Sequence, residues 1–157
     1  MIRIGLGADA HAFEASRPLI LGGVRVREVK GLGGHSDADV LCHAIGDALL
    51  GAAALGELGQ MFPNEDKWKD ASSLDILREA YAAVTSAGWS AVNVDATVIA
   101  QDPKLAPFLE KMIASVAGAL GLDHSAVSIK AKTTDHLGFS GRGEGIAALA
   151  VAFIERS

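Results

Sequence analysis

Asp9 and His11 stand two residues apart in an alternating stretch, so in a strand their side chains emerge on one face. His43 lies in a helical stretch, nearly opposite its apolar stripe, with Asp39 and Asp47 one turn to either side. A carboxylate and two imidazoles make a ligand set suited to zinc, leaving a fourth position for a substrate oxygen. The flanking aspartates would then orient the imidazole as acceptors. The same spacing also describes a solvated helix face, and sequence separation does not say whether Asp9 and His43 meet. Two further stretches carry chemistry. Leu137–Gly145 holds four glycines and Arg142, either an anion-binding turn or a plain turn before the last strand. It lacks the GxxxxGK[ST] pattern of a P-loop. Lys132-Thr133-Thr134-Asp135 offers hydroxyls and a carboxylate able to ligate magnesium, or is an ordinary strand end. Cys42 reads as a small buried thiol and His124 as a loop residue.

The elements that must position these groups follow from periodicity. Ile2, Ile4, Leu6 and Ala8 alternate with Arg3, Gly5, Gly7 and Asp9, predicting a strand with one buried face that ends near Asp9. Leu19–Leu21 and Val24–Val26 flank Gly22-Gly23, a two-residue hairpin signal. Helices are expected over Asp37–Leu55, with Ser36 as N-cap and Gly56 as stop, over Leu74–Ala87, and over Pro107–Leu120. Ala91–Ala100, Val127–Thr133 and Ile146–Ile154 read as strands, with Lys130 and Lys132 on the polar face of the second. The expectation is an α+β fold with residues 1–157 as a single domain: one mixed sheet with helices packed on one face.

Composition bounds the function. The chain of 157 residues is half apolar and 21% charged, which excludes the disordered class. Its net charge of −5 argues against nucleic acid and anionic membranes as partners. Cys42 alone permits no internal disulfide. The first residues lack the apolar run of a signal peptide, and the longest apolar run, Ile146–Ile154, is far short of the ~20 residues that span a bilayer. A soluble cytoplasmic protein is expected. Its mean hydropathy of +0.29 points weakly to surface buried in an oligomer.

Several motifs, in order and over essentially the whole chain, resemble the 2-C-methyl-D-erythritol 2,4-cyclodiphosphate synthase family of the non-mevalonate isoprenoid pathway. They are Gly7-Ala8-Asp9-Ala10-His11-Ala12-Phe13, His35 to Ala44, Asp47 to Gly56, Phe62-Pro63, Ala100-Gln101-Asp102-Pro103-Lys104 and Leu137 to Gly145. The resemblance implies a homotrimer with active sites between subunits. It implies a lyase in which the 2-phosphate of 4-diphosphocytidyl-2-C-methyl-D-erythritol 2-phosphate attacks the β-phosphorus and expels CMP.

Carried over residue by residue, the resemblance makes Asp9, His11 and His43 zinc ligands, with Asp9 and His11 also against the substrate. His35 and Ser36 would contact the phosphates and methylerythritol, and His35 with Thr133 would stabilise the transition state. Glu57, Leu58 and Gly59, with the loop Phe62, Pro63, Asn64, Glu65 and Asp66, would form the methylerythritol side. Ala100, Gln101, Asp102, Pro103, Lys104, Leu105 and Ala106 would form the cytidine diphosphate pocket of the neighbouring subunit. Lys132, Thr133, Thr134, Asp135, Phe139 and Arg142 complete the substrate-binding set, with Asp135 on magnesium. The chain departs from the family pattern at Asp135 (commonly Glu), Lys132 (often Thr), Glu57 (commonly Asp) and Ala8 (often aromatic, facing the cavity on the threefold axis). Two other readings are a non-catalytic trimeric metal-binding scaffold and a zinc-dependent phosphoesterase that uses water as nucleophile.

Overall fold

The computed structural model describes residues 1–156. A five-stranded mixed sheet runs in the order β4-β1-β7-β5-β6. Its strands are β1 (Ile2–Glu14), β4 (Gly31–Leu32), β5 (Ser90–Ile99), β6 (Val127–Lys132) and β7 (Gly145–Glu155). Only β5 and β6 pair in parallel, which requires a crossover, and α4 (Leu109–Leu120) supplies it. The chain leaves α4 through Gly121 at φ 62°, a left-handed C-cap that costs a residue without Cβ little. β2 (Leu19–Leu21) and β3 (Val24–Arg27) form a separate hairpin, so the expectation of one sheet gives way to a sheet plus a ribbon. Helices α1 (Val40–Ala52) and α4 pack on the main sheet, and α3 (Ser73–Ser86) packs against both helices. The short helices α2 (Leu58–Met61) and α5 (Gly138–Gly141) complete the chain, and α5 occupies the glycine-rich stretch expected to be a turn.

The first strand reverses the sequence expectation twice. It runs to Glu14, so Asp9 and His11 lie within it rather than at its end. Its inward face is the small one. Ile4 and Leu6 are 66% and 68% exposed, whereas Gly5 and Gly7 are buried against α1. A Cβ on Gly5 would sit 1.9 Å from the Ala48 carbonyl oxygen, and one on Gly7 1.9 Å from that of Ala44. The helix backbone therefore rests directly on the strand. One helical turn, about 5.4 Å, nearly matches two strand residues, about 6.6 Å, so successive glycines meet successive turns. Leu149 and Val151 of β7 continue the exposed apolar face beside β1, since Leu6 pairs with Val151 and Ala8 with Leu149.

Helix α1 starts at Val40, and its N-cap is Asp39 rather than Ser36. The Asp39 carboxylate is fully buried and accepts from the backbone N–H groups of Cys42, Gly22 and Gly23, at 3.0, 2.9 and 2.7 Å. It thus joins the β2–β3 turn, whose two glycines both have positive φ as the hairpin signal predicts, to the start of α1. Burial raises the pKa of this carboxylate despite those donors. Cys42 is buried, and burial raises its thiol too.

Candidate active site

Residues 3, 5, 7, 9 and 11 share the inward face of β1, so Asp9 and His11 continue the row on which α1 rests. His43 projects from the first turn of that helix. The close approach permitted by Gly5 and Gly7 brings the three side chains together. Asp9 Oδ2 lies 2.9 Å from His11 Nε2 and 3.0 Å from His43 Nδ1, and the two ring nitrogens are 3.4 Å apart. Among the described residues these are the side chains grouped closely enough to share a metal ion. Ligands about 2.0–2.2 Å from a tetrahedral ion lie about 3.3–3.6 Å from one another. The donors stand within a few tenths of an ångström of that spacing, and one carboxylate with two imidazoles suits zinc or a similar divalent ion.

Burial opposes charge on Asp9, but hydrogen bonds from His11 and His43 outweigh it and hold the carboxyl below the usual range. Burial also opposes charge on His43, and its hydrogen bond to Asp9 outweighs this, raising the imidazole above its ordinary value. A cation bound between them would compete with any proton held on His43.

Asp39 and Asp47 do not orient His43. Asp39 is committed to the backbone groups already described, and Asp47 accepts from Leu58 N at 2.8 Å. The second ring nitrogen, Nε2, instead lies 2.8 Å from Ser73 Oγ and 3.3 Å from Ser36 Oγ. Ser73 donates its hydroxyl to Asp37 Oδ1 and its backbone N–H to Asp37 Oδ2 at 3.0 Å. Ser73 opens α3, thirty residues after His43. Its sequence signal is only that of a residue at a helix start, and nothing local links it to the metal ligands.

The triad lines a cleft of about 370 Å³. Of the expected substrate-side residues, Asp9, His11, His35, Ser36, Glu57, Leu58, Gly59, Phe62 and Asn64 line it, together with Ala8, Asp47, Trp68 and Ile76, for which no substrate contact is expected. Pro63, Glu65 and Asp66 are exposed on the same loop without lining the cleft. Phe62 and Trp68 meet edge to face with ring centroids 4.7 Å apart. The loop bearing His35 and Ser36 is held from two sides. The Arg17 guanidinium donates to the carbonyls of Gly34 and Ser36, and His35 Nε2 donates to the Glu65 carbonyl at 2.6 Å. Burial, with Glu57 nearby, raises the pKa of Asp47.

The other half of the expected site lies elsewhere. Ala100–Ala106 and Lys132–Asp135 follow the C-terminal ends of β5 and β6, and none of these residues lines the cleft. β6 is three strands from β1, about 14 Å at ordinary strand spacing. The two segments are joined: Ala100 N donates to the Lys132 carbonyl at 2.9 Å, and His136 N to Gln101 Oε1 at 3.0 Å. Asp102 pairs with Arg27 at 2.7 Å, whereas Lys104, Lys132, Thr133 and Asp135 are exposed. Thr133 Oγ1 donates to Asp135 Oδ1 at 3.3 Å. Phe139 lines a separate hollow with Ala10, His11, Ala12, Glu144 and Gly145, and Arg142 pairs with Glu144 at 3.0 Å.

Comparison with known proteins gives the same outline. The model of the YgbB family matches residues 2–155. A 2-C-methyl-D-erythritol 2,4-cyclodiphosphate synthase of Bordetella avium (strain 197N) is 55% identical over 155 residues, 98% of this chain and 96% of that protein. The bifunctional IspDF from Campylobacter jejuni superposes with a TM-score of 0.97 at 43% identity. That match covers 100% of this chain and 43% of the bifunctional one, so the chain spans less than half of that protein. An IspF–CDP complex from Plasmodium falciparum superposes with a TM-score of 0.87 at 33% identity, covering 99% and 97% of the two chains.

Proposed function

The chain belongs to the YgbB family, and on that premise we propose that it is a lyase converting 4-diphosphocytidyl-2-C-methyl-D-erythritol 2-phosphate to 2-C-methyl-D-erythritol 2,4-cyclodiphosphate and CMP. The observation that carries this reading is the convergence of Asp9, His11 and His43 in a cleft of about 370 Å³. In the reaction an oxygen of the 2-phosphate bonds to the β-phosphorus. The bond from that phosphorus to the oxygen bridging the α-phosphate breaks, and CMP leaves with the electron pair. Negative charges must be brought together, so the protein's task is alignment and neutralisation.

Asp9, His11 and His43 would hold zinc and Asp135 magnesium, supplying Lewis acidity at the β-phosphate and charge neutralisation on the departing phosphate. Around the ions the chain's own residues do the rest. His35 and Ser36 sit on the clamped loop at the cleft, where they can donate to phosphate oxygens. Phe62 and Trp68 wall the cleft and exclude water, and Glu57 accepts from the sugar hydroxyls. Thr133 and Lys104 are exposed donors that would serve the transition state and the nucleotide of an adjoining copy, with Ala100–Ala106 forming the pocket.

The reading therefore includes a homotrimer with shared sites. Two observations support it: the exposed apolar face made by Ile2, Ile4, Leu6, Leu149 and Val151, and the separation of the two half-sites in one chain. The reading also places the chain in the cytoplasm as one domain, and no described helix is long and apolar enough to cross a membrane.

Incubating the purified protein with the diphosphocytidyl substrate, zinc and magnesium tests the assignment. CMP and the cyclic diphosphate should appear in equal amounts. Hydrolysis to open-chain phosphates would indicate a phosphoesterase, and no turnover by metal-loaded protein a binding scaffold.

A further inference from the structure

We propose that Ser73, backed by Asp37, is a positioning residue that fixes the tautomer and ring orientation of His43 for metal binding. The inference rests on the metal reading of Asp9, His11 and His43. Ser73 is fully buried at the start of α3, and its Oγ lies 2.8 Å from His43 Nε2. A serine hydroxyl has one proton, and here it goes to Asp37, a carboxylate that accepts from both the hydroxyl and the backbone N–H of the same residue. With that proton committed, Ser73 Oγ can only accept from His43. The Nε2 position must therefore carry a hydrogen, and in the neutral ring the free lone pair is left on Nδ1. That atom is the one facing Asp9 and His11, 3.0 and 3.4 Å away.

Without the serine the opposite tautomer becomes available. A neutral His43 with its hydrogen on Nδ1 would donate to Asp9 Oδ2, occupying two ligand atoms at once. Ser36 Oγ, 3.3 Å from Nε2, is a weaker substitute because it already accepts from Ala38 N at 3.2 Å and sits 3.3 Å from Ser73 Oγ. The relay also connects the ligand to the substrate cleft, since Asp37 N donates to the Ala71 carbonyl and Asp70 N to that of His35. The loop that presents His35 and the helix that presents Ser73 are therefore tied to one carboxylate.

The test measures zinc affinity of the full chain by competition with a chromophoric chelator, alongside the melting temperature of the metal-free protein. Ser73→Ala should bind zinc about 10- to 100-fold more weakly, the range usual for loss of a ligand's hydrogen-bond partner. Ser73→Thr, which keeps the hydroxyl, should recover most of the affinity. A Ser73→Ala protein that melts lower but binds zinc as wild type would make Ser73 a mere anchor of α3 and overturn the inference. If Ser73→Ala does not fold, Asp37→Asn decides: several-fold weaker binding supports the relay, unchanged binding overturns it. A wild-type chain that takes up no zinc would overturn the metal reading and this inference together.

Discussion

The floor of the cleft and the loops after β5 and β6 both carry polar and ionisable residues, yet they are built in opposite ways. On the floor, Asp9, His11 and His43 are partly buried, mutually bonded and backed by Ser73 and Asp37. Their positions follow from helix backbone resting on strand glycines, so the geometry is set within one chain. At the strand ends, Lys104, Lys132, Thr133 and Asp135 reach outward from an exposed rim. That rim is braced by Ala100 N to the Lys132 carbonyl and His136 N to Gln101 Oε1, with a long Thr133–Asp135 bond at its tips and no contact to the floor's ligands. A metal site needs fixed ligand spacing before the ion arrives, and dense packing supplies it. A phosphate-binding rim can leave long side chains free until the ligand, or a second copy, arrives to order them.

The largest expected effect comes from spoiling the floor's packing. Gly7→Ala puts a carbon 1.9 Å from the Ala44 carbonyl, so α1 must move away from β1. We expect destabilisation of about 1–3 kcal/mol or more by denaturant melts, together with loss of zinc binding. Wild-type zinc affinity in a folded Gly7→Ala protein would show that the close approach does not set the site.

At the rim, Asp135→Asn should leave melting temperature and zinc affinity untouched. It should lower turnover by about 10- to 100-fold, as expected for loss of a charge-assisted contact, and raise the magnesium needed for half-maximal rate. Asp135→Glu should be tolerated. An unchanged magnesium response in Asp135→Asn would remove this residue from the second metal.

A pH titration separates the halves more finely. Metal-free His43 has a raised pKa, so below it protons compete with zinc and above it they do not. Loss of the His43 proton should contribute up to about tenfold in zinc affinity per unit as pH rises toward that value, and nothing above it. The depressed Asp9 carboxyl stays ionised throughout and adds no slope there. Chelator competition between pH 5.5 and 8, a range chosen around the ordinary histidine pKa of about 6.5, would reveal a flat profile if neither imidazole were a ligand. The smallest effect is the control. A Cβ added to Gly51 on α1 would meet nothing within 4 Å, so Gly51→Ala should stabilise by about 0.5–1 kcal/mol without touching the metal.

Much of this contrast is legible in the sequence, but unevenly. Period two puts Asp9 and His11 on one face, and the strands and helices that carry the site follow from alternation and helical stripes. The inward face of β1 is not legible in this way, because apolar character there does not track burial. Ile4 and Leu6 are exposed in the chain, and Gly5 and Gly7, which alternate with them, meet the helix. In β5 the alternation holds for Val94, Ala96 and Val98 but fails at Val92, where a register shift against β7 turns the side chain outward. Asp39 has the right spacing to serve His43, yet helix capping and the hairpin turn claim all of its acceptors. Ser73 and Asp37 carry no sign of their partnership in the sequence, because their meeting depends on how α3 packs against α1, a non-local event with no local signature.

The central claim is that one chain builds the metal half of the site and a second copy supplies the nucleotide half. His43→Ala should abolish the first half and Lys104→Ala cripple the second, each leaving a folded subunit. Unfolding the two inactive proteins together, refolding them as mixed oligomers and assaying CMP release is the direct test. With equal, random mixing about one quarter of shared sites combine two intact halves, so activity should return toward a quarter of wild type. Mixed oligomers, verified by differential tagging, that stay as inactive as their parents would contradict the account.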